Sequence, residues 1–100
     1  MSRRDTIETA LRRLAPKIPR YEATAIVDHA SDSPGLARAA PEEAAWLSLV
    51  AYVRHAMTDY DAMLDDGYDV DSARAFVAGD MKEVLDRWGV RRQLTNRDDG

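Results

Sequence analysis

The hydrophobic pattern of the chain is strongest in residues 41–64, PEEAAWLSLVAYVRHAMTDYDAML. Pro41 suits a first helical position, where no backbone donor is lost, and two glutamates follow it at the positive end of the helix dipole. At about 100° per residue, the large apolar side chains fall on one stripe, which comprises Trp46, Leu49, Val50, Val53 and Met57. The pattern predicts a helix that buries this stripe.

His55 projects from the opposite side of this predicted helix. Its neighbours there are small or amphipathic rather than charged: Ala44, Ser48, Ala51 and Tyr52. A helix that is apolar on most sides is usually packed by several neighbours. We therefore expect this helix to be central, with its imidazole directed away from Trp46.

Helices are also predicted before the central segment. Ile7, Ala10, Leu11 and Leu14 recur at helical spacing. Asp5 is the expected N-cap, with Glu8 as its partner, and Pro16 ends the helix. A second helix is expected from Pro19 to about residue 30, followed by a loop at SDSPG, residues 31–35.

The C-terminal half predicts one short and one long helix. Thr58 is the expected N-cap of the short one, in a reciprocal pair with Asp61, and Gly67 ends it in a left-handed conformation. Asp69 is expected to cap the long helix, which Gly89 ends. Its predicted buried arc consists of Val70, Ala73, Val77, Met81, Val84 and Trp88.

These elements predict an all-α fold, a small orthogonal bundle of about four main helices plus one or two short ones. Residues 1–90 are expected to form a single helical domain, in which residues 1–20 supply a basic N-terminal helix and a proline-rich connection. Residues 91–100 are predicted to be a disordered tail. Trp46 and Trp88 are both expected to close the core.

Composition narrows the possible functions. The chain has 100 residues, of which 45% are hydrophobic and 32% charged, as in soluble globular domains. It has no cysteine, which excludes disulfides, thiolate metal sites and cysteine nucleophiles. The first residues contain no apolar segment typical of a secretory signal, and no stretch is long enough to span a bilayer. We expect a cytoplasmic protein with no membrane contact.

The net charge of −4 is unevenly distributed. Residues 1–20 hold six bases and two acids, whereas residues 21–90 hold five bases and fourteen acids. A basic end on an acidic body suggests phosphate contacts with a nucleic acid, through Arg12, Arg13, Lys17 and Arg20. The simpler explanation of these basic residues is that they form the solvent-exposed face of a helix. Only one aromatic residue, Tyr21, is adjacent, and a single ring is not enough to form a base-stacking surface.

The acidic run of residues 59–71 contains six aspartates and no base. In its DDGYDVD segment the glycine does not stand at the position that an EF-hand loop requires. The segment also lacks the bidentate glutamate that ends such a loop. His29 and His55 could supply two metal ligands, but no third ligand is evident, and two ligands are weak support for a metal site. We therefore expect no metal or cofactor, and helix caps with a solvated acidic face explain the run.

His55 is the strongest candidate for a catalytic residue. It is followed at spacings of three by Thr58 and Asp61, and a histidine held by a carboxylate is a potential general base. No nucleophile stands out nearby, and a histidine near a helix C-terminus also has a purely structural explanation in the helix dipole. Arg74 is predicted to pair with Asp61 or Asp65.

Residues 25–88 resemble a small family of uncharacterised helical domains. The resemblance is carried by RHAMTDYDAMLDDG, residues 54–67, which contains a His-x-x-Thr-x-Tyr-Asp-x-x-Leu signature, and by an Ala-Arg step and VLDRW further on. It implies a helical fold and marks as family positions His55, Thr58, Tyr60, Asp61 and Arg74. It implies no activity, and the first twenty residues lie outside it.

Three functions remain open. The leading hypothesis is a non-enzymatic binding or interaction module that uses the face of Tyr52, His55 and Tyr60 to contact an unknown protein or a second copy. Its candidate binding residues also include Thr58, Asp61 and Arg74. The alternatives are a small hydrolase-like enzyme with His55 as general base, oriented by Asp61 or Asp59, and a nucleic-acid-associated protein.

Overall fold

The helices of this chain pack around its most apolar segment. A computed structural model describes residues 2–95. Within them the chain is all-α, as predicted, and forms no strand. Its elements are α1 (Arg3–Leu14), α2 (Arg20–Asp32), a 3-10 turn (Pro34–Leu36), α3 (Pro41–Met57), α4 (Tyr60–Asp65) and α5 (Val70–Arg87).

Helix α3 is the central element, because α1, α2, α4 and α5 all contact it. The predicted core stripe is confirmed at four positions that are fully buried, namely Trp46, Leu49, Val50 and Val53. Met57, in the last turn, is only half-buried. Ala44 and Ser48, predicted beside His55, are also buried, since neighbours cover α3 on more than its tryptophan side.

The N-terminal cap of α1 differs from the prediction. Ser2 Oγ accepts a hydrogen bond from the Asp5 backbone at 3.1 Å, and the Asp5 carboxylate accepts one from the Ser2 backbone at 3.4 Å. The expected pairing of Asp5 with Glu8 is therefore wrong. Ser2 and Asp5 form the same reciprocal pair three residues earlier, so the helix starts sooner.

Two glycines end helices as predicted. Gly67 and Gly89 have φ of +97° and +81°, in the left-handed region that favours glycine. Beside the second one, the Lys17 backbone donates to the Trp88 carbonyl at 2.9 Å. This bond joins the connection between α1 and α2 to the end of α5.

Helix α5 buries one face and leaves the other open. Its cap is confirmed, since Asp69 accepts a hydrogen bond from the Ser72 backbone at 2.7 Å. The predicted arc is buried at Ala73, Val77, Met81, Val84 and Trp88. Val70 is 45% exposed, contrary to the prediction, because it is the first residue of the helix and is not covered there.

The chain continues past α5 along the core. Leu94 packs against the core, and the Arg92 guanidinium lies 4.5 Å from the centroid of the Trp46 ring. The predicted disordered tail falls partly on residues 96–100, which lie outside the described residues. No helix between residues 2 and 95 has both the length and the apolar content needed to cross a membrane.

Candidate functional site

The candidate site lies where α3 ends and α4 begins. Thr58 has an extended backbone, with φ of −135° and ψ of 173°, and Asp59 is the N-cap of α4. The two helices are thus separated by only two residues. This sharp change of direction brings His55, in the last turn of α3, next to Asp61, in the first turn of α4.

The contact between His55 and Asp61 fixes the imidazole. Nδ1 of His55 lies 2.6 Å from Oδ1 of Asp61. An ionised carboxylate can only accept a hydrogen bond, so Nδ1 carries the proton. The two side chains are 52% and 60% exposed, and within residues 2–95 no protein group bonds Nε2. The imidazole is therefore held through Nδ1 and leaves Nε2 available for a further hydrogen bond.

The ring of Tyr60 packs against the imidazole of His55. It is 5% exposed, and its ring meets that of His55 edge to face, with centroids 5.3 Å apart and planes at 80°. The Arg54 guanidinium lies over the same ring, 5.8 Å from its centroid. Such ring contacts favour one orientation of each partner. Tyr60 is thus a support for His55 and presents little surface of its own.

Arg54 is a site residue that the sequence analysis missed. It is 6% exposed, which is unusual for an arginine. A signal was present in the sequence, because Arg54 stands four residues after Val50 and therefore lies on the edge of the buried stripe. We assigned no position or role to this side chain from the sequence.

Thr58 and Asp61 do not form the predicted capping pair. The Thr58 hydroxyl donates to the Arg54 carbonyl and accepts a hydrogen bond from the Tyr60 backbone at 3.2 Å. The reason is the start of α4, which has Asp59 at the N-cap. Asp61 is then only the second helical residue, and its carboxylate is directed to His55 instead of the backbone.

The predicted ion pair of Arg74 does not form among residues 2–95. Arg74 is half-buried, and its Nε is buried without a hydrogen-bond partner. One of the two expected partners, Asp61, is engaged by His55. Arg74 is thus not joined to the His55 site by a salt bridge.

Tyr52 is half-buried on the α2 side of the site. Burial, followed by the charges of Glu22 and Tyr21, raises the pKa of Tyr52 above its usual value. Tyr52 therefore lies close to the first turn of α2. Of the face formed by Tyr52, His55 and Tyr60, the histidine is the exposed member.

An open hollow of about 410 Å³ lies beside the site. It is lined by Ala56, Met57, Thr58, Asp59 and Asp80, and His55 is not part of the lining. Among residues 2–95, no three His, Asp or Glu side chains come together as a metal ion would require. Two carboxylates, Asp59 and Asp80, are the charged groups of this hollow.

The basic N-terminal residues differ in how far they are already paired. The Arg4 guanidinium lies 2.6 Å from Asp28, and this hydrogen bond raises the pKa of Arg4. Arg12 lies 3.4 Å from Glu8. The remaining candidate bases have exposed side chains without such a partner within residues 2–95: Arg13, Lys17 and Arg20.

Comparison with known proteins relates most of the chain to one described family. The chain is similar, over residues 10–89, to a family described as "Uncharacterized conserved protein (DUF2293)". No curated protein and no solved structure matches it. The matched segment contains the whole His55 site, and it begins earlier than the resemblance noted above, so it also includes Arg12, Arg13, Lys17 and Arg20.

Proposed function

Since the chain belongs to the DUF2293 family of uncharacterized conserved proteins, we propose its function from its own geometry, as a non-enzymatic binding module that contacts its partner through His55. The observation that carries the proposal is an exposed imidazole held at Nδ1 by Asp61, with Nε2 unbonded among residues 2–95. A contact atom held in place in this way suits recognition of a protein surface.

Fixing the ring before binding favours affinity. Immobilising a flexible side chain at an interface costs about 0.5–1.5 kcal/mol, and Asp61 and Tyr60 already restrict the rotation of His55. With its proton on Nδ1, the neutral ring accepts a hydrogen bond at Nε2. The complementary partner group is therefore a donor, such as a hydroxyl or a backbone N–H.

A hydrolase-like enzyme is the second candidate, because the 2.6 Å contact with Asp61 is also how a general base is oriented. Two observations favour binding over catalysis. The Thr58 hydroxyl is engaged with the backbone of Arg54 and Tyr60. The adjacent hollow, where a substrate would be enclosed, is not lined by His55.

Contact with nucleic acid has weaker support. It rests on the exposed side chains of Arg13, Lys17 and Arg20, because Arg12 is already paired with Glu8. Three cations give a modest phosphate site whose affinity must fall steeply as salt rises. Binding of a duplex that ignores salt concentration would exclude this function.

Site-specific photo-crosslinking tests the binding proposal. A benzophenone amino acid at exposed Ala56, next to His55, should capture a partner in cells that produce this chain. The same group at Ala37, between α2 and α3, is the positional control. Capture from position 56 should be lost in a His55→Ala background and retained with His29→Ala, which removes the other exposed histidine.

Equal capture with and without His55 would contradict the proposal. So would a purified chain that hydrolyses esters or phosphoesters at a rate abolished by both His55→Ala and Asp61→Asn. That result would establish the enzymatic alternative, because both residues would then be needed for turnover.

A further inference from the structure

The C-terminal half of α5 borders a hollow of about 470 Å³, here called the α5 hollow. Part of its lining is apolar and belongs to the core, because Leu85 and Val90 line it and are only 4% and 7% exposed. Half-buried Leu94 and exposed Ala78 complete the apolar lining. Small-molecule sites in proteins usually have volumes of roughly 300–1,000 Å³. The α5 hollow is therefore large enough to hold a small ligand.

The turn that ends α5 forms the second wall of the hollow. The Val90 backbone donates a hydrogen bond to the Leu85 carbonyl at 2.9 Å, and the Gly89 backbone donates one to the Asp86 carbonyl at 3.1 Å. Together with the left-handed conformation of Gly89, these two bonds form a Schellman motif, which reverses the chain at a helix end. Residues 91–94 then line the hollow together with α5. The hollow is thus built by local backbone structure and needs no ligand to form.

Contacts with the core hold this second wall in place. The guanidinium of Arg92 lies 4.5 Å from the centroid of the Trp46 ring and 3.6 Å from the Glu43 carboxylate. Leu94 packs against the core as well. Since Trp46 is fully buried in α3, these contacts attach residues 91–94 to the central helix.

The charges that line the hollow leave one positive group over. Lys82 and Asp86 compensate each other, because their side chains meet at 2.7 Å. The charge of Arg92 is compensated by Glu43. Arg91 also lines the hollow, is exposed, and forms no ion pair within the described part of the chain. The group available to a ligand is therefore a guanidinium.

The other exposed acids of this part of α5 do not face the hollow. At 100° per residue, Asp80 and Glu83 lie about 140° and 160° around the helix from Leu85. Both belong to the outer stripe of α5, which carries Phe76, and neither lines the hollow. An anion in the hollow is thus not repelled by them at close range.

We propose that the α5 hollow binds a small amphipathic carboxylate. The apolar body of the ligand covers Leu85, Val90 and Leu94, and its carboxylate pairs with Arg91. A guanidinium offers a carboxylate two parallel hydrogen bonds. The single uncompensated charge matches a monoanion better than a phosphate monoester, which carries about −1.5 to −2. This site does not include His55, so it is independent of the binding function proposed above.

An NMR titration of the full ¹⁵N-labelled chain with three related probes tests the ligand class. Hydrocinnamate has both an apolar ring and a carboxylate, and it should shift the amide signals of residues 78–94 with a Kd of roughly 0.1–10 mM. Hydrocinnamyl alcohol lacks the charge and should bind about tenfold more weakly. Propionate lacks the ring and should give no saturable shifts, because it buries little apolar area.

Two charge-removing variants test the role of the guanidinium. Arg91→Gln should weaken the binding of hydrocinnamate about tenfold and leave that of the alcohol unchanged, because only the carboxylate loses its partner. The matched control is Arg87→Gln, which removes an equal charge at the end of α5. Arg87 is exposed but lies about 160° around the helix from Leu85, so neither ligand should be affected. His55→Ala should also leave both unchanged.

Three results would overturn the proposal. The first is an absence of saturable shifts in residues 78–94 at hydrocinnamate concentrations well above about 10 mM. The second is an alcohol that binds as tightly as the carboxylate, and the third is an equal loss of hydrocinnamate binding in Arg91→Gln and Arg87→Gln. Circular dichroism of the two variants should match the wild-type chain, since both side chains are exposed.

Discussion

The two longest helices of the chain, α3 and α5, are similar in length but opposite in exposure. α3 is contacted by four other helices and buries even Ser48 and Arg54. α5 buries one face and leaves Phe76 and Gly79 in the open. The first helix is at the centre of the core, and the second has one side exposed to solvent.

This difference determines where exposed side chains are found on the two helices. On α3, His55 lies in the last turn, where Tyr60 and Asp61 of α4 contact it but leave its side chain 52% exposed. On α5, the whole outer stripe is accessible. We therefore expect substitutions at buried positions of α3 to lower stability, and substitutions on the outer stripe of α5 to leave it nearly unchanged.

The largest expected difference is between two aromatic truncations. Trp46→Ala should lower the free energy of unfolding by about 3–5 kcal/mol, because it empties a fully buried site. Phe76→Ala should change it by no more than about 0.5 kcal/mol, since the ring is exposed. Urea denaturation of the two variants and of the wild-type chain measures both. Similar losses for the two variants would contradict the contrast between the helices.

Replacing each of two glycines by alanine should change the free energy of unfolding by a smaller amount, and in opposite directions. Gly89→Ala should cost about 1–2 kcal/mol, because a left-handed backbone is unfavourable with a Cβ and the added atom would lie 3.3 Å from Pro16 Cδ. Gly79→Ala should stabilise the chain by about 0.5–1 kcal/mol, since it is a helical position with open space. Thermal melts of the two variants should shift in opposite directions.

The smallest expected effect on stability comes from the N-cap of α5, and it depends on pH. The hydrogen bond from the Ser72 backbone lowers the pKa of Asp69. Its stabilisation is therefore fully present above the pKa of an unfolded aspartate, about 3.9, and is lost as pH falls through the lower folded value. Asp69→Asn keeps an acceptor at the cap and should remove this part of the acid dependence, lowering the melting temperature by a few degrees at neutral pH. An unchanged acid profile would show that the cap does not contribute.

Much of this fold is encoded locally and was therefore predictable from the sequence. Helical spacing identified the buried stripe around Trp46, and Asp69, Gly67 and Gly89 were placed correctly at helix ends. These features depend only on neighbours along the chain. Val70 was predicted to be buried because periodicity does not show where a covering element stops.

The site was harder to predict, because it depends on the position of a helix start. A shift of one residue, from Thr58 to Asp59 at the N-cap, changes Asp61 from a capping residue into the partner of His55. The burial of Arg54 and the isolation of Arg74 from any acid among residues 2–95 depend on packing between helices. Sequence spacing does not specify that packing.

The orientation of the His55 ring is the central claim, and long-range ¹H–¹⁵N NMR of the histidine side chains tests it most directly. At alkaline pH, where imidazole is neutral, His55 should carry its proton on Nδ1, and Asp61→Ala should remove this preference while His29 stays unchanged. A His55 protonated on Nε2 in the wild-type chain, or a tautomer indifferent to Asp61, would contradict the account.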